Sequence, residues 1–167
     1  MWYVVQTLKG QEEKILDGIH QDVKCEDEEV FIMQNEKMYK HKGEWEADRT
    51  NLFPGYLFVD TNAPMEFDKR LRKKYPARKL LRVDDKITAI EECEEDFLKT
   101  LGGEEHIVRF STGFREGDQI IVESGALKDL TGEIKKLDRH NRQAIITLSL
   151  FGRKTDVTLG LEIVKSL

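Results

Sequence analysis

The chain has 167 residues, 39% of them apolar and 35% charged, with a formal net charge of −5. This composition suits a soluble globular protein of one ordinary domain or two small ones; it excludes a wholly basic nucleic-acid coat, and no run approaches the roughly 20 apolar residues of a membrane span. Met1-Trp2-Tyr3-Val4-Val5 lacks the basic region and cleavage site of a signal peptide, and Cys25 and Cys93 form no CxxC or other ligand spacing, so a reduced, cytoplasmic monomer with no membrane partner is expected.

Trp2–Leu8 is apolar at nearly every position and reads as a strand ended by Lys9-Gly10. A helix follows from Gln11 to Val23, where Ile15, Ile19 and Val23 recur at helical spacing. Val30–Tyr39 is a second strand, His41–Glu44 a hairpin tip, and the polar return leg Trp45–Leu52 reads as irregular. The chain is organised around Asn51–Asp60, in which Pro54-Gly55 launches Tyr56-Leu57-Phe58-Val59. Strand side chains alternate, so Tyr56 and Phe58 point one way, Leu57 and Val59 the other. Both faces are apolar, and both need a cover.

Asn62 is the expected N-cap of a helix over Ala63–Tyr75, with Phe67, Leu71 and Tyr75 as its apolar stripe and Pro76 as its stop. From Lys69 to Arg82 there are eight Lys/Arg and no acid, while acids cluster at Glu26–Glu29 and Glu91–Asp96. Lys79–Val83 is a short strand, and a third helix spans Ile90–Leu101. This order predicts a ferredoxin-like split β-α-β domain over residues 1–101.

Residues 102–113 carry little periodicity and are expected to link two domains, although Ile107, Val108 and Phe110 would also suit a packed strand. Beyond them, Asp118–Glu123, Gly132–Leu137, Ala144–Leu150, Lys154–Thr158 and Leu161–Lys165 alternate with turn residues. Five short strands predict a small barrel over residues 114–167, giving an α+β chain overall.

Trp2-Tyr3-Val4-Val5-Gln6 and Phe53-Pro54-Gly55-Tyr56 together resemble the N-terminal (NGN) domain of the NusG family. Glu116-Gly117-Asp118, Ser124–Leu130, Thr131-Gly132-Glu133-Ile134 and Ile145–Arg153 resemble its KOW domain in the same order. The resemblance implies a transcription elongation factor, not an enzyme. Its first domain would bind the clamp of bacterial RNA polymerase, and its KOW domain would recruit Rho, a small-subunit ribosomal protein or nucleic acid. The basic and acidic helices depart from the general factor and suggest a specialised paralog. Gly117, Gly132 and Phe151-Gly152-Arg153 are similar to a LoaP-like barrel rather than an RfaH-like refolding tail. A general NusG and a ribosome-associated RNA-binding protein are the alternatives.

On this resemblance Phe53, Tyr56 and Phe58 would dock polymerase. A bare aromatic face would serve that role, and simple core packing is the competing explanation. Lys69, Arg70, Arg72, Lys73, Lys74, Arg78, Lys79 and Arg82 would gain counterion-release energy on nascent RNA or upstream DNA. In the barrel, Lys128, Lys135, Lys136, Arg139 and Arg142 suit an RNA surface or a neutral scaffold, since acids intersperse them. Phe151 and Arg153 suit a partner contact or, for Phe151, a barrel plug. His20, His41, His106 and His140 lack ligand-spaced partners, and no nucleophile elbow, Walker loop or carboxylate pair appears, so no metal, cofactor or catalytic residue is expected.

Overall fold

In a computed structural model that describes residues 1–166, β1 (Trp2–Gln6) leads through α1 (Glu12–Asp22) to β2 (Glu29–Phe31), β3 (Gln34–His41), β4 (Glu44–Asn51) and β5 (Tyr56–Asp60). α2 (Pro64–Lys74), the short strands β6 (Arg82–Val83) and β7 (Lys86–Ile87), and α3 (Glu92–Gly102) follow. The remainder is β8 (Ile107–Val108), β9 (Ser111–Glu116), β10 (Gln119–Ser124), a 3-10 turn at Thr131–Glu133, β11 (Ile134–Asp138), β12 (Gln143–Leu150) and β13 (Arg153–Ser166). The fold is mixed α+β with a strand-rich C-terminal part, and no described helix is long and apolar enough to cross a membrane.

The chain divides into two units. The first holds Met1–Met33 and Phe53–Asp96. In it β5 lies between β1 and β2 and runs antiparallel to both, with Tyr3 opposite Val59 and Val30 opposite the same residue. Leu80 bridges Val5 on the free side of β1, so the edge order matches a split β-α-β sheet. Tyr3, Val5, Val30, Leu57 and Val59 project from one face into a core closed by Ile15 and Ile19 of α1 and by Phe67 and Leu71 of α2. The helices are thus the cover for the Leu57 and Val59 face of β5. The expected Asn62 cap is not: Ala63 is the N-cap, without a side-chain bond, and the Thr61 hydroxyl accepts its N–H at 2.9 Å.

The second unit holds Gln34–Leu52 and Phe97–Leu167. The return leg expected to be irregular is β4, paired with β3 from Gln34↔Asn51 to His41↔Glu44. Cross-strand partners override its weak intrinsic strand preference, as with Lys37 opposite Asp48 and Tyr39 opposite Glu46. The low-periodicity stretch 102–113 carries β8, which runs parallel to β3, and the start of β9. The five-stranded sheet has the order β10-β9-β13-β12-β11. Two expected final strands are one continuous β13, which pairs with β12 up to Gly160 and with β9 from Leu161 onward. Gly160 sits at that change of partner. An added Cβ there would lie 2.3 Å from the Phe110 ring and 2.6 Å from the Glu36 carbonyl oxygen, so only glycine fits without movement. Along β12, Ala144, Ile146, Leu148 and Leu150 point inward and are buried, the period-2 pattern of a strand with one core face.

Candidate docking turn and basic surfaces

The Phe53–Tyr56 turn is closed by the Tyr56 N–H donating to the Phe53 carbonyl at 3.1 Å. Gly55 has a φ of +86°, and an added Cβ would approach the Thr7 carbonyl oxygen to 2.9 Å. Glycine is therefore required twice over, by the left-handed backbone and by the close approach. Thr7 N–H donates to the Gly55 carbonyl at 2.7 Å, binding the turn to the end of β1. Tyr56 stands half-buried with its ring stacked on Phe53 at 6.4 Å, and Gln6 Nε2 donates to its hydroxyl at 3.4 Å.

The aromatic face is less bare than its sequence suggests. Phe58 is 0% exposed and Phe53 7%. Phe58 packs against Trp2 at 5.9 Å, Phe31 at 5.7 Å and Phe53 at 5.7 Å, so the rings cover one another. Edge-to-face and offset stacking make such a cluster self-burying. Of the three aromatic candidates only Tyr56 offers a partner appreciable surface in this conformation.

The basic segment is corrected in a different way. From sequence its charges look uncompensated, yet four of the eight are ion-paired to acids from outside the run. Arg70 Nη2 donates to both Glu28 oxygens at 2.7 Å and its Nε to the Val23 carbonyl at 2.8 Å. Glu28 is buried and also accepts from the Cys25 N–H and the Thr61 hydroxyl. Asp68, 1% exposed, takes Arg82 at 2.7 Å and Arg72 at 3.0 Å on Oδ2 and the Leu80 N–H at 2.8 Å on Oδ1. Lys74 pairs with Asp22, whose hydrogen bond raises the lysine's pKa. Lys69, Lys73 and Lys79 are exposed and Arg78 half-buried, and none of these forms an ion pair among the described residues. Sequence inspection missed Glu28 and Asp68. The i,i+4 spacing of Asp68 and Arg72 was the available signal for one of them.

In the second unit Lys128, Lys136, Arg139 and Arg153 are exposed and make no ion pair among the described residues. Lys135 pairs with Asp156 at 2.8 Å. That hydrogen bond, with a second from Thr147, holds the Asp156 carboxyl below its usual range. The Asp138 carboxyl is lowered by hydrogen bonds from the Asn141 side chain and N–H, which shape the β11–β12 loop. Arg142 stacks over the Trp45 ring at 4.0 Å and pairs with Glu162 at 3.3 Å, a contact with no local sequence signal. Phe151 and Gly152 form the two-residue link between β12 and β13, both with positive φ, +54° and +74°. Paired positive values are those of a type I′ hairpin turn, which disfavours a bulky residue such as Phe151 at its first position. The half-buried phenylalanine is held at the hairpin tip.

Among the described residues no group of three or more His, Cys, Asp or Glu side chains is placed to hold a metal ion. The sequence family described as "Transcription termination factor nusG" matches residues 1–99. The "Transcription termination/antitermination protein NusG" of Thermus thermophilus is 29% identical, over 99% of this chain and 98% of its own length. The protein of the same name from Vibrio cholerae is 25% identical, over 95% and 91% respectively. A solved structure described as "Domain interaction in Thermotoga maritima NusG" is 23% identical over 95% of this chain and 92% of that one, with a TM-score of 0.49.

Proposed function

The chain belongs to the NusG family of transcription termination/antitermination factors, and on that premise we propose that it binds the clamp of bacterial RNA polymerase and promotes processive elongation. The observation that carries the docking reading is the Phe53–Tyr56 turn, a rigidly bonded glycine turn that leaves Tyr56 stacked on Phe53 and half-exposed. Phe58 supports this surface from behind rather than meeting the partner in the present conformation. Catalysis of elongation here is not chemistry but bias. About 1.4 kcal/mol of preference for the elongating clamp state shifts its population tenfold.

Nucleic acid, nascent RNA of a leader or upstream DNA, is the second partner we propose. Lys69, Lys73, Arg78 and Lys79 would meet its phosphates, helped by Lys128, Lys136 and Arg139. Arg70, Arg72 and Arg82 are already engaged by buried carboxylates and act as struts. Reading the chain as a specialised, LoaP-like paralog rests on Gly117, Gly132 and Phe151-Gly152-Arg153, on the acidic α3 and on this basic surface. Its partial neutralisation favours a second reading, a general factor whose KOW hairpin tip, with Phe151 and Arg153, takes Rho or a small-subunit ribosomal protein.

Two measurements test these readings. Tyr56→Ala is expected to weaken binding of the full chain to core polymerase about tenfold or more while leaving the melting temperature nearly unchanged. A large loss of stability at unchanged affinity would assign Tyr56 to the core. In gel shifts against a leader RNA and its scrambled control, sequence-selective binding supports the paralog; equal, weak binding beside capture of Rho supports the general factor.

A further inference from the structure

Glu12 opens α1 and is 4% exposed, an unusual place for a carboxylate, which is costly to bury unless it is fully hydrogen-bonded. Its two oxygens are spent on two glycine backbones. Oε2 accepts the Gly10 N–H at 2.8 Å, and Oε1 accepts the Gly55 N–H at 2.7 Å across 43 residues of sequence. Both glycines have left-handed backbones, with φ of +90° and +86°. The carboxylate thus clips the loop after β1 to the Pro54-Gly55 turn, and charge-assisted bonds of this kind are roughly twice as strong as neutral ones. Thr7 N–H to Gly55 and Gln6 Nε2 to Tyr56 complete the fastening on the β1 side.

We propose that Glu12 is a positioning residue for partner docking. It touches no partner itself, and fixes the turn so that Tyr56 is presented in one pose. This rests on the docking role given above to Tyr56. The Gly55 peptide is the link: its N–H is held by Glu12 and its carbonyl by Thr7, one residue before Tyr56. A glutamine at position 12 has the same shape, but it lacks the charge and turns an NH₂ toward one of the two donors.

The test is a double-mutant cycle on the affinity of the full chain for core RNA polymerase, using Glu12→Gln, Tyr56→Ala and the combination, with amide hydrogen exchange at Gly55 alongside. Expected are faster exchange at Gly55 and about tenfold weaker binding in E12Q, with the double variant binding no worse than Y56A. Glu12→Asp, too short to span both N–H groups, is expected to behave as E12Q does and serves in its place should E12Q melt early. Unchanged affinity in E12Q and E12D beside a weakened Y56A overturns the positioning role alone. Losses that multiply in the double variant also overturn it, since they mark a general structural effect. Wild-type affinity in Y56A overturns the docking reading and the positioning role with it.

Discussion

Two basic stretches of this chain, Lys69–Arg82 with no acid of its own and Lys128–Arg142 interspersed with Asp129, Glu133 and Asp138, differ in where their counter-charges sit. The first is served from below. Asp68 and Glu28 are buried and fix Arg70, Arg72 and Arg82 by bidentate or shared bonds. The second is served from the surface, by Asp156 and Glu162, with side-chain exposures of 47% and 26%. An arginine tied to a buried carboxylate is part of the fold, because removing either member strands the other. A lysine beside an exposed aspartate keeps most of its charge available. Charge density along the chain therefore measures nucleic-acid potential poorly until the buried acids are located.

The sharpest way to break this contrast is Asp68→Ala. It leaves two guanidinium groups and the Leu80 N–H without their acceptor, and is expected to cost about 3 kcal/mol. For a chain of this size that is a fall of roughly 6–12 °C in the melting temperature, read by calorimetry. A loss below about 1 kcal/mol would make Asp68 an ordinary surface acid. Arg70→Ala should follow at about 2 kcal/mol, since it uncovers Glu28, whereas Lys73→Ala should stay within about 0.5 kcal/mol of wild type. Chemical denaturation of the pair separates strut from free cation directly. Equal costs would erase the distinction.

In the second stretch the largest single effect is expected from Arg142→Ala, about 1 kcal/mol for the stacking on Trp45. Quenching of tryptophan fluorescence by iodide should rise with it. Smaller still is the acid response of Asp156. Its folded pKa lies below the unfolded value, so its contribution to stability is present above about pH 4. The contribution fades as pH falls through the lowered folded value. Asp156→Asn should flatten the stability-against-pH curve only in that window, and a change confined to higher pH would contradict the Lys135 pairing. On nucleic acid the order reverses. Replacing Lys69 and Lys73 together should reduce the slope of log K against log salt by about 1.4 on single-stranded RNA, and replacing Arg70 should leave the slope unchanged.

The same distinction between local and distant causes explains what could be read from the chain alone. The split β-α-β sheet was legible because Ile15, Ile19, Phe67 and Leu71 recur at helical spacing, and because Pro54-Gly55 punctuates an unmistakable strand. The period of β12 was legible for the same reason. β4 was not, because its own residues carry weak strand preference and only its pairing with β3 across the hairpin makes it a strand. At Ile107 and Val108, where linker and packed strand both suited the sequence, the distant partner β3 makes it a strand. The continuity of β13 through Gly160 was hidden, since glycine reads as a break where it is in fact a close backbone approach. At the candidate docking turn, alternation put Tyr56 and Phe58 on one face, but the stacking of Tyr56 on Phe53 crosses the turn and the burial of Phe58 depends on Trp2 and Phe31, brought in from other strands. Glu12 and Glu28 were invisible as anchors because their key partners, Gly55 and Arg70, lie more than 40 positions away, whereas Asp68 had one local signal, its i,i+4 spacing to Arg72.

The measurement closest to the central claim is read-through of a terminator by RNA polymerase in a purified transcription reaction, with the full wild-type chain and Tyr56→Ala added in turn. The wild-type chain should raise the fraction of full-length transcript, and Tyr56→Ala should return it toward the level without factor at concentrations where its melting temperature is unaltered. Read-through that rises equally with both proteins would contradict docking through the Phe53–Tyr56 turn. Read-through that neither protein changes would contradict the elongation role itself.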